Sequence, residues 1–285
     1  MKMKRRAFRV ILIILIVLAA LAAAAWGIVH YTLSGGNYRS DDEVRIDKDA
    51  YETEEVKPED IYHVDEVTLA SQDQTEDTWT LLAIGGASPE IEESAQNRGD
   101  ADAIILLTFN NSMKTLYINT FHADLYVHIP GEGPGNLGNS YAVGGGVLLC
   151  RAITENYGVP IDNYAVISLE DAARVMDMPG LTDADVSDRG VEVIRKLVNQ
   201  LGISSPLEVA GRITSLLPYV THNLTSSELT ALMLKAPSYV SFYSEDYRIP
   251  YDGLFQKVQG YLVPDIAATS EKLKDTIYQK QQEDK

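Results

Sequence analysis

Two apolar runs of strand length, TWTLLAIGG at 78–86 and DAIILLTFNN at 102–111, narrow the fold class more than any other feature of the chain. Short uninterrupted apolar runs bounded by Gly, Pro and Asn suit strands buried on both faces. A third strand, Lys114 to Ile118, is expected after the Asn110-Asn111-Ser112 turn, making three neighbours in a central sheet. Ser140–Tyr157 then reads as a helix, Tyr164–Ile167 as a strand, and Ser168–Met178 as a helix opened by the capping pair Ser168 and Asp171. Helices are also expected at Val191–Leu201 and from Pro206, where Leu207, Ala210, Ile213, Leu217 and Val220 keep helical spacing. Thr225 and Glu228 cap a further helix, with Leu229, Leu232 and Met233 facing inward. Tyr239–Tyr243 and Asp246–Ile249 form a candidate late strand pair, and Asp265–Gln282 a terminal helix. Strands mixed with helices in this way indicate an α/β domain.

Ahead of this region, Lys2, Lys4, Arg5, Arg6 and Arg9 stand without an acid, and Val10 to Leu33 contain no Asp, Glu, Lys or Arg. About 20 apolar residues suffice to cross a hydrocarbon core. A cleaved signal peptide is the alternative, because Ala22–Ala25 offers small residues, but the run is longer than the usual h-region of about 7–15 residues. The expected organisation is a cytoplasmic basic tail at 1–9, a transmembrane helix at 10–33, an acidic extended stalk at 34–76, an α/β domain at 77–264, and a C-terminal helix and tail at 265–285. Clustered positive charge keeps the N-terminus in the cytoplasm. The expectation is therefore a single-pass protein of the cell membrane with an extracellular domain.

Setting aside the five basic residues before the span leaves 19 basic against 41 acidic residues, a net of −22. Nucleic-acid binders carry the opposite footprint, so no nucleic-acid partner is expected. Cys150 is the only cysteine, which rules out an intrachain disulfide and a multi-cysteine metal site.

The stretch from Ile118 to Gly146, INTFHADLYVHIPGEGPGNLGNSYAVGGG, holds most of the suggestive chemistry. His122, Asp124 and His128 share a face if they continue a strand. At about 3.3 Å per residue, however, His122 and His128 lie about 20 Å apart, so only His122 and Asp124 can cooperate. Gly131, Gly133 and Gly135 do not make a P-loop, since no basic residue follows and Pro134 interrupts them. Gly144–Gly146 inside an apparent helix points to a bend or close backbone approach, or to tight packing on the sheet. Asp100 and Asp102 stand at the start of a buried strand, where carboxylates can hold a hard cation, although on their own a polar loop before a strand is clearly the better account of them.

The order of these parts resembles the LytR-CpsA-Psr family of Gram-positive envelope proteins. The likeness rests on LLAIGG, DADAIILLTFNNSMKTLYINTFHADLYVHIPG, NLGNSYAVGGG and YGVPIDNYAVISLED, followed by YVTHNLTSSEL and YRIPYDG, and covers about residues 79–255. It implies an extracytoplasmic α/β domain with a central mixed sheet flanked by helices and an apolar cavity for a polyprenyl tail. It further implies transfer of a glycopolymer from a polyprenyl pyrophosphate carrier to peptidoglycan, with Mg²⁺ and arginines holding the pyrophosphate. On the matching positions, Asp102 is the implied metal ligand and Asp124 the second implied catalytic aspartate. The family's arginine before that second aspartate is here Ala123. In the first motif, Gly86-Ala87-Ser88-Pro89 stands where an aspartate and an arginine belong, and the arginine-rich segment before Val191 is short. Arg98, His122, Arg151 and Arg189 are then the expected phosphate-binding groups, with Glu90, Glu92 or Glu93 as a replacement metal ligand. Two functions follow from these residues. One is a domain with degenerate catalytic arginines that binds a polyprenyl-linked glycan, with peptidoglycan or an envelope protein as partner. The other is an active Mg²⁺-dependent phosphotransferase.

Overall fold

The computed structural model describes residues 37–38, 77–86, 98–168, 171–172, 174, 206–239 and 247–278. Its centre is a seven-stranded mixed sheet of order β1-β8-β7-β2-β3-β4-β9. These strands are β1 (Asn37–Tyr38), β2 (Thr78–Gly86), β3 (Ala101–Asn110), β4 (Thr115–Phe121), β7 (Asn163–Ser168), β8 (Val220–His222) and β9 (Tyr247–Ile249). A hairpin of β5 (Tyr126–Ile129) and β6 (Gly133–Asn136) and a second of β10 (Phe255–Val258) and β11 (Tyr261–Pro264) lie outside it. The helices are α1 (Leu137–Tyr157), α2 (Pro206–Leu216), α3 (Ser226–Tyr239) and α4 (Ile266–Ile277).

Strand β2 pairs antiparallel with β3 and parallel with β7, and β3 pairs antiparallel with β4. Both faces of these strands are covered, which explains their unbroken apolar sequences. Ile104, Leu106, Tyr117 and Phe121 face α1 and α4, while Ile105, Leu107, Phe109, Leu116 and Ile118 face α2 and α3. The expected strands at 78–86, 102–111 and 114–118 and the helices at 140–157 and 265–282 are present with modest changes of boundary.

Two expectations need correction. Val220 does not continue α2: the helix gives way to a 3-10 turn at Leu217–Tyr219 containing Pro218, and Val220 opens β8. Tyr239 ends α3 and is buried there rather than starting a strand; residues 240–246 lie outside the described residues, and β9 forms at Tyr247–Ile249. Residues 131–135 form the tip and return strand of the β5–β6 hairpin. In α4, Leu273 and Ile277 are fully buried, and Ser270 Oγ donates to the Tyr157 carbonyl at 2.7 Å.

Asn37 and Tyr38 pair in parallel with Thr221 and His222, so the expected stalk begins as an edge strand; residues 39–76 lie outside the described residues. The expected membrane span at 10–33 and the helix at 191–201 also lie outside them. Among the described residues no helix is long and apolar enough to cross a membrane.

Helix α1 is bent. Gly145 has φ 63° and ψ −159°, a conformation open to glycine, and Gly144 is also non-helical. Gly146 then lies against the sheet, where a Cβ would come within 2.6 Å of the Tyr164 ring. The three glycines thus serve both a bend and tight packing.

Candidate functional site

The ends of β2 and β7, the start of β3, the end of β4 and the first turn of α1 meet at one edge of the sheet. Gly86 is paired with Ala101 and Ser168, and Ile104 with Phe121, so the β3 start carrying Asp100 and Asp102 lies beside the turn at 122–124. Asp100, Asp102, His122 and Asp124 are all exposed there.

Asp100 is within electrostatic reach of Asp102 and Asp124. Partial burial, then the negative charge of Asp102 and of Asp124, hold its carboxyl above the ordinary 3.8. An acid raised in the folded state destabilises the fold when ionised, and the penalty is relieved as pH falls through the folded value towards 3.8. Asp100→Asn is therefore expected to raise Tm at pH 7 in low salt, with a smaller gain in high salt and none below pH 3.8. Thermal melts over pH and salt check this, and an unchanged Tm at pH 7 would show that the three charges do not interact.

His122 and Asp124 make a local pair. Nδ1 of His122 accepts the Asp124 backbone N–H at 3.2 Å. Asp124 Oδ2 lies 3.7 Å from the same nitrogen.

The basic groups are distributed differently. Arg98 is only 2 % exposed, and its Nη1 donates to the carbonyls of Ala142 at 2.8 Å, Val143 at 3.2 Å and Tyr141 at 3.5 Å. Those carbonyls end the helical turns before Gly144, where the bend deprives them of intrahelical donors. Arg98 is thus a cap inside the fold rather than an outward phosphate fork. Arg151 is half-exposed on the far part of α1, 3.5 Å from Glu155, and lines a cavity of about 300 Å³ with Asp162, Asn163 and Asn223. Asn163 pairs with Leu81, five residues from Gly86 along β2, so about 17 Å of strand separates Arg151 from the acidic end. Arg189, Glu90, Glu92 and Glu93 lie outside the described residues.

Arg248 was not singled out from the sequence. It is exposed on β9 opposite Thr120, and the adjacent Ile249 carbonyl accepts the His122 N–H at 2.8 Å, which places Arg248 on the strand bordering the acidic turn. The only signal was its place in YRIPYDG. Parallel pairing of so short a strand with β4 is a long-range contact that local pattern does not reveal.

Mg²⁺ is held through one or two carboxylates and completes its shell with water and substrate phosphate oxygens. Among the described residues no group of three or more His, Cys, Asp or Glu could hold a metal ion. Asp102 and Asp124, exposed at neighbouring strand ends, match the two-carboxylate, oxygen-only donor set of an open site.

With this geometry in view, likeness to known proteins is informative. The LytR_cpsA_psr family model matches residues 40–182, half of the chain. The chain belongs to the LytR-CpsA-Psr family. One relative is the polyisoprenyl-teichoic acid–peptidoglycan teichoic acid transferase TagT of Bacillus subtilis, 30% identical over 128 residues, which are 44% of this chain and 39% of TagT. The match thus spans well under half the length of that relative. Among solved structures, TagV of B. subtilis aligns with a TM-score of 0.56 at 13% identity over 72% of this chain and 99% of TagV. TagT bound to LIIa-WTA aligns with a TM-score of 0.52 at 17% identity over 72% of this chain and 92% of TagT. At these identities the structures establish the shared fold: an α/β domain with a central mixed sheet flanked by helices.

Proposed function

We propose that this chain is a membrane-anchored, extracytoplasmic LytR-CpsA-Psr protein of cell-envelope assembly that binds a polyprenyl-pyrophosphate-linked glycan without transferring it efficiently. The observation that carries this reading is the charge at the acidic end of the sheet. Asp100, Asp102 and Asp124 all stand exposed at this end, while Ala123 occupies the place of a family arginine and Arg98 turns inward to cap α1. Pyrophosphate bound at such an end depends on a divalent cation to offset the carboxylates, and Asp102 and Asp124 are the residues that would hold it. That ion, when bound, supplies positive charge to the phosphate oxygens. Residues 10–33 anchor the chain, with peptidoglycan or another envelope protein as partner. Binding of LIIa-WTA by a protein of the same fold supports a glycan-carrier ligand.

An active phosphotransferase is the second reading, favoured by Arg248 at the neighbouring strand. The two are separated with the full-length protein in detergent, Mg²⁺ and a polyprenyl-pyrophosphate glycan. The expected result is saturable retention of the lipid without release of polyprenyl monophosphate. Ala123→Arg is expected to tighten retention about tenfold or more, because charge-assisted hydrogen bonds contribute about 1.5–3 kcal/mol. Release of polyprenyl monophosphate that Asp102→Ala abolishes would overturn the binding-only reading.

A further inference from the structure

We infer that Gly138 and Arg98 are positioning residues that set the spacing between the Asp102 and Asp124 carboxylates, an inference that rests on reading those two as the divalent-cation ligands. The first turns of α1 lie across both acid-bearing segments. The Leu137 N–H donates to the Leu125 carbonyl at 2.8 Å and the Gly138 N–H to the Ala123 carbonyl at 2.9 Å, so the turn holding Asp124 hangs from the helix start. Asn136, at the N-cap, makes no side-chain capping bond, and these two carbonyls take over that duty. On its other side Gly138 meets the β3 start. A Cβ there would lie 2.7 Å from the Ala101 carbonyl oxygen and 3.2 Å from Ala123 Cβ.

Ala101 precedes Asp102 and Ala123 precedes Asp124, so a single glycine is the point where both ligand-bearing segments touch. The closest obstacle is a backbone atom, which cannot turn aside as a side chain would. Arg98 fixes the same β3 lead-in a second time, through its hydrogen bonds to the carbonyls at the end of these turns. Residues 137–143 of α1, about 10 Å of helix, thus act as a template held at its start by Gly138 and at its end by Arg98. Mg²⁺ and Mn²⁺ demand near-octahedral geometry at short range, so a small change in carboxylate spacing falls directly on affinity.

The test uses the full chain in detergent with Mn²⁺ as probe. Gly138→Ala and Arg98→Lys are each expected to weaken Mn²⁺ binding about tenfold, the usual effect of disturbing the support behind metal ligands, with circular dichroism retained. A second readout needs no metal: nitroxides on Asp102→Cys and Asp124→Cys in a Cys150→Ser background report the spacing by dipolar broadening. Broadening that changes with Gly138→Ala or Arg98→Lys supports the inference, even if the parent protein binds no Mn²⁺, which would instead sink the cation reading. Unchanged broadening in both overturns it, whatever happens to Mn²⁺ affinity. If Gly138→Ala fails to fold, Arg98→Lys, which introduces no clash at the helix start, decides.

Discussion

Tyr141→Ala should lower the unfolding free energy by about 3–5 kcal/mol, the range for removing a large, fully buried aromatic side chain. Tyr141 is 0% exposed in the cluster that joins α1 to the sheet. Its ring fills the space over Gly86, where a Cβ would fall 2.8 Å from the Tyr141 ring carbon Cε1. Because the ring lies on the same helical turns that receive Arg98, its loss opens a cavity directly behind the acidic end. Urea denaturation checks the value, with a lower midpoint and an unchanged slope. Leu234→Ala, at a side chain 66% exposed, is the control and should change stability by no more than about 0.5 kcal/mol. A Tyr141→Ala loss as small as the control's would mean that the helix is not seated through this ring.

Asn156→Ala is the second large effect expected, a loss of about 2–4 kcal/mol. Asn156 is fully buried near the end of α1. Its side-chain amide serves the backbone of β5 from both sides: Nδ2 donates to the His128 carbonyl at 2.7 Å and Oδ1 accepts the His128 N–H at 3.1 Å. Nδ2 also donates to the Ala152 carbonyl at 2.7 Å. The amide therefore replaces a neighbouring strand for one residue of the hairpin. Alanine strands both backbone groups of His128, and each unsatisfied buried group costs about 1–3 kcal/mol. Asn156→Asp distinguishes the two halves of this contact, since a carboxylate accepts the N–H but cannot donate to the carbonyl. Equal stability for the Asn and Asp proteins at neutral pH would refute the two-sided account.

The parts of the fold that were legible in the sequence depend on short-range pattern. The β2 and β3 runs and the α4 boundary follow from apolar periodicity and from Asp265, which accepts the Ala268 N–H at 3.0 Å. The Thr225–Glu228 box forms as expected: the Thr225 N–H donates to Glu228 Oε2 at 2.7 Å and the Glu228 N–H to Thr225 Oγ1 at 3.3 Å. What was not legible depends on where a residue's partner lies in space. Nothing local tells an arginine to cap a bent helix 44 residues away, as Arg98 does at Ala142. Arg151 follows helical spacing faithfully, and that spacing carries it to the opposite end of the sheet from Asp102. Asn37–Tyr38 has too few residues to show any periodicity, so its pairing with β8 had no sequence signature.

For a chain anchored through residues 10–33, that short strand would limit how far the domain stands from the bilayer. Leu33, the last residue of the expected 10–33 span, stands four residues before Asn37. With Cα atoms about 3.8 Å apart, Asn37 can lie no farther than about 15 Å from the end of that span. In a chain anchored through 10–33, the register of Asn37 with Thr221 and of Tyr38 with His222 therefore holds the β8 edge within headgroup distance of the bilayer. Tyr38 and Thr78, which flank the acidic segment, both lie in the central sheet. In such an anchored chain, clearance from the lipid surface would be set by the residues between Leu33 and Asn37, and lengthening 39–76 would leave it unchanged.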